Sequence, residues 1–467
     1  MNHKKLLLTL TLCLCALLCM VVTASASEVS VHSHPICGAT HTNIGDHTGT
    51  CEPVTWTAWD GTSEITYDSE TKTAYIYLTG NVQISGALTI PQGHTLYLCL
   101  NGHDIIRTGN LIQIQKDASF TLCDCKGDKA EYGKLDSNKG GRAVSFGGSD
   151  PGTFTMYGGI ITGGNVTGNS GGGVFVGDKN TFTMYGGTIT GNSARNPGGG
   201  AVVYGTFNMY GGTVTGNSAQ EGGGGVAVYG IFKMYGGTIT DNTCGVNYSG
   251  GGVYVKDGRW STAAITLSGS VQIKDNYKGS NSNKKPSNIY LTNNKTINVA
   301  GPLTGSSIGV TTATEPGTGS NVTFANSSTN TITTGIFTPD TAGVLVGVAA
   351  DGDGTSAYLY KCSHVYEWAY DEEYHWKKCT NVGCDSVEAG SKIAHTWDYP
   401  ANYNNPKTCI CGATQGEPLT RSYYYYAPSA AEDKKDSPKT ADPGVLLYAG
   451  LALASLTGLT CTAKKRH

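Results

Sequence analysis

The sequence predicts an all-β protein, a right-handed parallel β-helix solenoid with small Cys/His-rich segments on its flanks. Three observations lead to this prediction. One sequence unit recurs along the chain, clusters of glycine separate its copies, and apolar residues alternate with polar ones inside each copy. Self-similarity at a period of about 20–50 residues is typical of stacked repeats.

The recurring unit reads Phe-x-Met-Tyr-Gly-Gly-x-x-Thr. Its four copies are separated by steps of 28, 25 and 25 residues and start at Phe154, Phe182, Phe207 and Phe232. A glycine run and a Val-rich segment follow each copy, and each is preceded by an Asn residue, namely Asn169, Asn192, Asn217 and Asn242. One structural element is therefore expected to stack on copies of itself.

The alternation indicates β-strands, because successive side chains of a strand point to opposite faces. Phe154 and Met156 are expected to face the interior, and Thr155 the solvent. Glycine adopts positive φ without a Cβ penalty, so the glycine clusters mark the corners between strands. In the other strands of the repeats we expect apolar side chains in the interior, namely Ile189, Val226 and Val228. The alternating residues Thr188, Thr190 and Ala227 are expected to face the solvent.

About 25 residues per turn suits three short strands per coil, with successive coils about 4.8 Å apart. Like residues then lie on like, so the Phe residues form one interior ladder and the Asn residues a ladder at a turn. A second interior ladder consists of Met156, Met184, Met209 and Met234. Clear repeats cover residues 154–277. Weaker copies extend the predicted β-helix over residues 56–360, or roughly a dozen coils.

The repeats resemble those of pectate-lyase-like β-helix proteins. The pairing of Gly-Gly-Gly-Val with Thr-Gly-Asn-Ser is also similar to the repeat of bacterial polymorphic surface autotransporters. Both resemblances imply the fold and leave the activity open, because one fold serves many functions.

The first residues have the composition of a secretory signal peptide, residues 1–26. Lys4 and Lys5 precede an apolar run over residues 6–22, and Ala24-Ser25-Ala26 follows it. We expect cleavage after Ala26 and export of the mature chain.

The C-terminal residues 437–467 combine a short motif, a hydrophobic segment at 445–462 and a basic tail. The arrangement resembles the sorting signal of sortase substrates in Gram-positive bacteria, with departures from Leu-Pro-x-Thr-Gly at its first and last positions. The resemblance implies that sortase joins Thr440 to peptidoglycan, so that the protein is membrane-anchored before sorting and extracellular and cell-wall-anchored afterwards. A plain membrane anchor is the alternative. The motif consists of Ser437, Pro438, Lys439, Thr440 and Ala441.

Cys and His residues are concentrated in two segments outside the predicted solenoid, 27–55 and 361–415, and an aperiodic linker at 416–436 follows. Their density suits structural zinc, which would order segments too small to hold a core. Disulfides and unligated thiols are the alternatives in an exported protein. The second segment resembles small Cys/His modules in surface proteins of anaerobic Firmicutes. The candidate ligands are Cys37, His41, His47 and Cys51, and then Cys362, His364, His375, Cys379, Cys384, His395, Cys409 and Cys411.

Two further cysteines lie within the predicted solenoid. A step of 24 residues aligns Cys99 with Cys123. We expect them on adjacent coils, either as a disulfide or as stacked thiols.

Charge and residue distribution restrict the function classes. Only 14% of the residues are charged and the net charge is −3, which speaks against nucleic acid as a partner. The carboxylates of the repeats are scattered, whereas polysaccharide-cleaving β-helix proteins cluster them on one outer sheet. One outward row of tyrosines could stack on sugar rings or peptide, or pack against the glycines that follow each tyrosine in the sequence. It consists of Tyr157, Tyr185, Tyr210 and Tyr235.

These observations predict a non-catalytic, wall-anchored surface protein that acts as an adhesin or a scaffold. Its expected partners are sortase, peptidoglycan and a host or microbial glycan or protein. The alternative is a polysaccharide-binding or polysaccharide-degrading β-helix protein. An outer groove that gathers several carboxylates, or a carboxylate with Arg or Lys, would favour the alternative.

Overall fold

The structure is a computed structural model. It describes residues 32–37, 52–126, 132–147, 150–256, 262–280, 283–348, 354–380, 387–397, 401 and 406–418. The predicted signal peptide, most of the linker, the sorting signal with Thr440, and the candidate ligands His41, His47, Cys51 and Cys384 lie outside the described residues. In the described part of the chain, no helix has the length and apolar character needed to cross a bilayer. The chain divides into two compact units, residues 1–393 and 394–467.

Short β-strands account for most of the regular structure, together with a turn of 3-10 helix at Thr334–Ile336. In chain order the strands are β1 (Ser33–Pro35), β2 (Pro53–Thr55), β3 (Thr57–Trp59), β4 (Thr73–Leu78), β5 (Val82–Gln83), β6 (Leu88–Ile90), β7 (Thr95–Cys99), β8 (Ile105–Ile106), β9 (Ile112–Ile114), β10 (Ser119–Cys123), β11 (Lys134–Asp136), β12 (Val144–Phe146), β13 (Thr153–Met156), β14 (Ile160–Thr162), β15 (Asn165–Val166), β16 (Val174–Val176), β17 (Thr181–Met184), β18 (Thr188–Thr190), β19 (Ser193–Ala194), β20 (Ala201–Val203), β21 (Thr206–Met209), β22 (Thr213–Thr215), β23 (Ser218–Ala219), β24 (Val226–Val228), β25 (Ile231–Thr240), β26 (Thr243–Cys244), β27 (Val253–Val255), β28 (Ala264–Ile273), β29 (Tyr277–Lys278), β30 (Lys285–Pro286), β31 (Ile289–Leu291), β32 (Ile297–Val299), β33 (Ser307–Thr312), β34 (Val322–Asn326), β35 (Phe337–Pro339), β36 (Val344–Val348), β37 (Ser356–Lys361), β38 (Tyr366–Tyr370), β39 (Tyr374–Cys379), β40 (Ile393–Ala394), β41 (Lys407–Thr408) and β42 (Thr414–Gln415).

Three parallel ladders form the faces of a β-helix, as the repeats predict. Face A consists of β3, β4, β7, β10, β13, β17, β21, β25, β28, β32 and β34. Face B consists of β5, β8, β11, β14, β18, β22, β25, β28, β33 and β35. Face C consists of β6, β9, β12, β16, β20, β24, β27, β31 and β33. Between faces B and C, a short parallel sheet of β15, β19, β23, β26 and β29 ends on the antiparallel β30.

Among the described residues, nine successive coils begin at β4, β7, β10, β13, β17, β21, β25, β28 and β32. A constant period of about 25 residues predicts roughly a dozen coils over the same range. Loops explain part of the difference, since Phe182 pairs with Phe207 after 25 residues whereas Phe120 pairs with Phe154 after 34. The C-terminal end explains the rest, because β36 and β37 pair antiparallel there and close the stack without adding coils.

The interior ladders are confirmed. The four repeat Phe residues pair in register and their side chains are fully buried. Their rings stack with centroids 4.7, 4.5 and 5.0 Å apart. The four Met residues are also fully buried, and Leu122 continues their ladder below Met156. Ala227 departs from the prediction, because it is fully buried although it lies outside the main core cluster. The glycine loop before its strand covers it, since a Cβ at Gly223 would lie 2.8 Å from the Ala227 Cβ.

A buried Asn ladder runs along the corner after face B. The Nδ2 of Asn192 donates to the Oδ1 of Asn217 at 3.0 Å, and the Nδ2 of Asn217 donates to the Oδ1 of Asn242 at 3.0 Å. Each Oδ1 also accepts the backbone N–H of the Asn on the preceding coil, and each Nδ2 donates to backbone carbonyls. The carboxamides thus satisfy buried polar groups along the stack.

Asn169 does not belong to this ladder, contrary to the prediction from the repeats. It lies exposed in a loop, and on its coil the equivalent of Asn192 is Gly164, whose N–H donates to the Asn192 Oδ1 at 2.9 Å. An inserted loop shifts the Thr-Gly-Asn-Ser motif out of phase in that repeat.

The ladder continues in the other direction beyond the clear repeats. The Nδ2 of Asn242 donates to Asn276 at 2.9 Å, and that of Asn276 donates to Asn288 at 3.0 Å. Asp340 ends the series. Its carboxylate accepts the N–H and the Nδ2 of Asn288, both at 2.6 Å, and the hydroxyl of Thr311 at 3.2 Å.

The flanking segments form small antiparallel pairs. In the first unit β1 pairs with β2, and β38 pairs with β39. In the second unit β41 pairs with β42.

Candidate metal centres and outer surfaces

The described N-terminal segment, residues 32–37, brings two histidines to two cysteines of the β-helix. His32, His34, Cys99 and Cys125 each offer one ligand atom, and these atoms lie within 4.8 Å of one another. We call these four residues the N-terminal Cys/His group. Such a set has the donor types and the number that a tetrahedral metal site requires.

Backbone pairing and ring stacking hold the two imidazoles. Trp56 donates its backbone N–H to the carbonyl of His32 at 2.9 Å and its indole N–H to the carbonyl of His34 at 3.1 Å. The ring of His32 stacks on Tyr77, with centroids 3.9 Å apart, and the ring of His34 stacks on Trp56 at 4.5 Å. The His34 Nδ1 lies 2.6 Å from the carbonyl of Pro35.

The turns after β7 and β10 hold the two thiols. Cys99 ends β7, and Cys125 lies two residues beyond the end of β10. Asp124 fixes the second turn, because its buried carboxylate accepts backbone N–H groups from Gly102, Lys126 and Gly133 at 3.2, 3.0 and 2.8 Å. The Cys125 Sγ lies 3.9 Å from the His32 Nε2.

Burial sets the protonation of the group. It lowers the pKa of His32 to about 4 and also lowers the pKa of His34, so both imidazoles are neutral near pH 7. The hydrogen bond with Cys123, together with burial, raises the pKa of Cys99, and the hydrogen bond with Cys99, together with burial, raises that of Cys125. Neutral imidazoles are ready to bind a cation, whereas the thiols must lose protons to do so.

The spacing of Cys37, His41, His47 and Cys51 predicts a different site. Cys37 is buried beside Trp56, Cys99, Cys123 and Tyr157. Its three expected partners lie outside the described residues, so that site remains a prediction. Cys99 and Cys123 pair in register on adjacent strands, as the 24-residue step predicts, and both are thiols.

A second group lies at the other end of the first unit. Cys362, His364 and Cys379 have ligand atoms within 4.8 Å of one another, and the two Sγ atoms are 3.5 Å apart. His375 lies on β39 with Cys379, and its fully buried ring meets that of Trp368 edge to face at 4.8 Å.

The second unit has a Cys/His cluster of its own. His395, Cys409 and Cys411 have ligand atoms within 4.8 Å of one another, and the His395 Nδ1 is 3.5 Å from the Cys411 Sγ. Burial alone would raise the pKa of Cys409. Hydrogen bonds from the backbone of Cys411 and from His395 outweigh burial and lower this pKa to about 7.

The row of repeat tyrosines forms an outer ladder. The rings of Tyr157, Tyr185, Tyr210 and Tyr235 stack with centroids 5.0, 5.0 and 4.8 Å apart and interplanar angles of 7–13°. Each ring therefore covers the face of its neighbour. This arrangement matches packing at the turn more closely than stacking on a sugar ring.

Two further pairs of stacked tyrosines lie along face C. Tyr204 stacks on Tyr229 at 4.8 Å, and Tyr254 stacks on Tyr290 at 5.9 Å. The guanidinium of Arg142 lies 4.5 Å from the ring centroid of Phe175 on the same face. Tyr204 is 39% exposed.

The short sheet forms the floor of an open groove of about 760 Å³. Its floor consists mainly of small side chains, such as Ser193, Ser218 and Thr243, and Arg195 and Gln220 project from the turns. Among these described lining residues there is no carboxylate. A smaller cavity of about 300 Å³ near the C-terminal end is lined by Lys274, Asp275 and Asp340, among others.

Comparisons of the chain with protein-family models, with curated proteins and with solved structures found no match.

Proposed function

We propose that the chain is a non-catalytic, exported surface protein whose β-helix is a rigid scaffold, anchored in the cell wall through Thr440. The observation that carries the proposal is the continuity of the stack. Ladders of Phe and Met join every clear repeat to the next, the Asn ladder begins at Asn192, and the core cluster extends from Trp59 to Leu359. Nine coils at about 4.8 Å give a stiff element about 40 Å long.

Sortase and peptidoglycan are the partners that the C-terminal motif implies. Replacing Thr440 with Ala should move the full-length protein from the wall fraction to the membrane or the medium. Thr460→Ala, within the hydrophobic segment, is the matched control and should leave the protein in the wall. Wall attachment that survives Thr440→Ala would contradict the anchoring mechanism.

An adhesive function predicts that the displayed stack binds a glycan or protein. The groove over the short sheet supports this proposal, because a run of small polar side chains across several coils suits a linear polymer. The mature chain should be screened against immobilised glycans and matrix proteins. Arg195→Ala should weaken any binding through the groove, and Arg142→Ala, whose guanidinium lies over Phe175 of face C, is the control.

A polysaccharide-degrading function is the second candidate. One observation favours it, since the cavity near the C-terminal end combines Lys274 with Asp275 and Asp340. Incubation of the mature chain with pectic and other uronic-acid polysaccharides tests this function. Product release that Lys274→Ala and Asp275→Asn abolish would establish an enzyme and overturn the scaffold proposal.

We also propose structural zinc at the group formed by Cys362, His364 and Cys379. Thiolate and imidazole are the ligands that zinc prefers, and the three atoms already converge. Zinc would fix β38 and β39 against the end of the β-helix, where Cys362 and Cys379 pack with Leu345.

A further inference from the structure

We infer that the N-terminal Cys/His group binds one Zn²⁺ ion with a Cys₂His₂ ligand set, which fastens the N-terminal segment to the turns of the second and third coils. The ligands are His32, His34, Cys99 and Cys125.

The four ligand atoms are close to the arrangement that zinc imposes. Zinc binds Cys sulfur at about 2.3 Å and His nitrogen at about 2.0–2.1 Å, so ligand atoms of a tetrahedral site lie about 3.3–3.8 Å apart. All four atoms lie within 4.8 Å of one another, and the His32 Nε2 is 3.9 Å from the Cys125 Sγ. A contraction of about 1 Å, within reach of side-chain rotation, completes the site.

The hydrogen bond of His34 selects the nitrogen that a metal needs. A carbonyl oxygen only accepts, so the Nδ1 at 2.6 Å from the Pro35 carbonyl carries the proton. The Nε2 then presents its lone pair, and this buried atom has no hydrogen-bond partner among the described residues. Zinc-binding histidines usually donate their other ring N–H to a carbonyl or carboxylate in this way.

Hydrogen bonds hold Cys125 and its neighbours independently of any metal. Asp124 accepts the backbone N–H groups of Lys126, of Gly102 on the turn of the second coil and of Gly133. The Cys125 Sγ lies 3.2 Å from the Oδ1 of Asn101 on that same neighbouring turn. The β-helix thus presents two thiols on a fixed frame, and the N-terminal segment supplies the two imidazoles. Zinc between them would join parts of the chain that are 65 residues apart at His34 and Cys99.

Disulfides compete for the same thiols. Cys99 pairs in register with Cys123, at a separation that a disulfide can bridge. Thiol state and metal content must therefore be measured together at named residues.

Site-specific alkylation of the full chain, purified under anaerobic conditions with zinc, tests the inference. Cys99 and Cys125 should react with iodoacetamide about tenfold more slowly before than after treatment with a zinc chelator. Mass spectrometry of the peptides reads each cysteine separately, which excludes the contribution of the other Cys/His groups. Cys244, buried on the short sheet, is the internal control and should react at one rate throughout.

His34→Gln sharpens the test without relying on a folded apo state. In this variant the zinc content should fall by one ion per chain, and Cys99 and Cys125 should react fast before chelation. His94→Gln is the matched control and should keep both the zinc and the protection. Equal rates with and without chelator, an unchanged zinc content in His34→Gln, or a Cys99 disulfide in the anaerobic protein would each overturn the inference.

Discussion

The central coils and the N-terminal edge of the β-helix are ordered by different means. In the central coils each residue of a ladder packs on a residue of its own type, as Phe182 does on Phe207. At the N-terminal edge, His32 and His34 meet Cys99 and Cys125 across segments with no sequence likeness. A coil inside the stack has a copy of itself on each side. The first coils lack such a copy on one side, so an added segment with other chemistry must cover them.

A charge in the interior Phe ladder should lower the free energy of unfolding more than any other change considered. Phe207→Asp places a charge in the fully buried middle of the stack, where nothing can pair with it. We expect a loss of roughly 3–5 kcal/mol in the free energy of unfolding. Asn208→Asp, on the same strand and half-buried, should cost far less. Thermal or urea unfolding of the two variants measures the difference, and equal stabilities would contradict the inward direction of Phe207.

A break in the Asn ladder should cause the next largest loss in the free energy of unfolding. Asn217→Ala removes the acceptor of Asn192 and the donor to Asn242 in a buried setting. The expected cost is about 2–4 kcal/mol, since several polar groups lose partners together. Asn169→Ala is the matched control, with an expected change below about 0.5 kcal/mol at an exposed loop position. Similar losses in both variants would refute a special role for the ladder.

The two Asn residues also show what the sequence could predict. The clear repeats predicted three faces, the Phe and Met ladders and most of the Asn ladder, because identical residues at a fixed period must stack. Asn169 belongs to the same motif and was assigned wrongly, because a few added residues before it change its phase while the motif itself is unchanged. Asn276, Asn288 and Asp340 were missed because loops of irregular length separate them from the repeats.

The N-terminal Cys/His group was beyond prediction for a related reason. Cysteine spacing identified Cys37 and its neighbours as candidates, and the 24-residue step identified Cys99 and Cys123. No local spacing connects His32 to Cys125, which lie 93 residues apart. Only the position of β1 beside the turns of the second and third coils brings them together.

The stability that Asp340 contributes at the end of the Asn ladder should depend on pH. Asp340→Asn should cost about 1–3 kcal/mol, because an amide NH₂ would then face donors of Asn288. Burial raises the pKa of Asp340 despite its hydrogen bonds. A raised pKa in the folded state adds stability below the unfolded value of about 4, and this contribution is lost as the pH rises through the folded pKa.

The stability advantage of the parent over Asp340→Asn should therefore shrink as the pH rises above about 4. Urea unfolding of both proteins across the acid range measures this trend. An advantage that grows with pH would mean that the hydrogen bonds from Asn288 and Thr311 outweigh burial.

A substitution in the outer Tyr ladder should change the free energy of unfolding least. Tyr210→Phe retains the ring that stacks between Tyr185 and Tyr235 and removes only a hydroxyl at its edge. We expect a change below about 0.5 kcal/mol in the free energy of unfolding. If the row binds a ligand through its hydroxyls, the same variant should weaken binding at unchanged stability. Unchanged binding to a ligand found in the glycan screen would leave packing as the role of the row.

The Asn ladder has one direction, since every Oδ1 accepts from the preceding coil and every Nδ2 donates to the next. Each repeat that carries a ladder Asn therefore has a lower surface that fits the upper surface of another such repeat, including one from which it is separated in the chain. Removal of residues 206–230, a whole period, would bring Phe182 under Phe232, Met184 under Met234 and Asn192 under Asn242, so the three interior ladders would continue. Gene segments that recombine out of alignment by one repeat would thus yield folded proteins that differ in reach by about 4.8 Å. The length of the β-helix can therefore vary in inheritance without a new interface having to evolve.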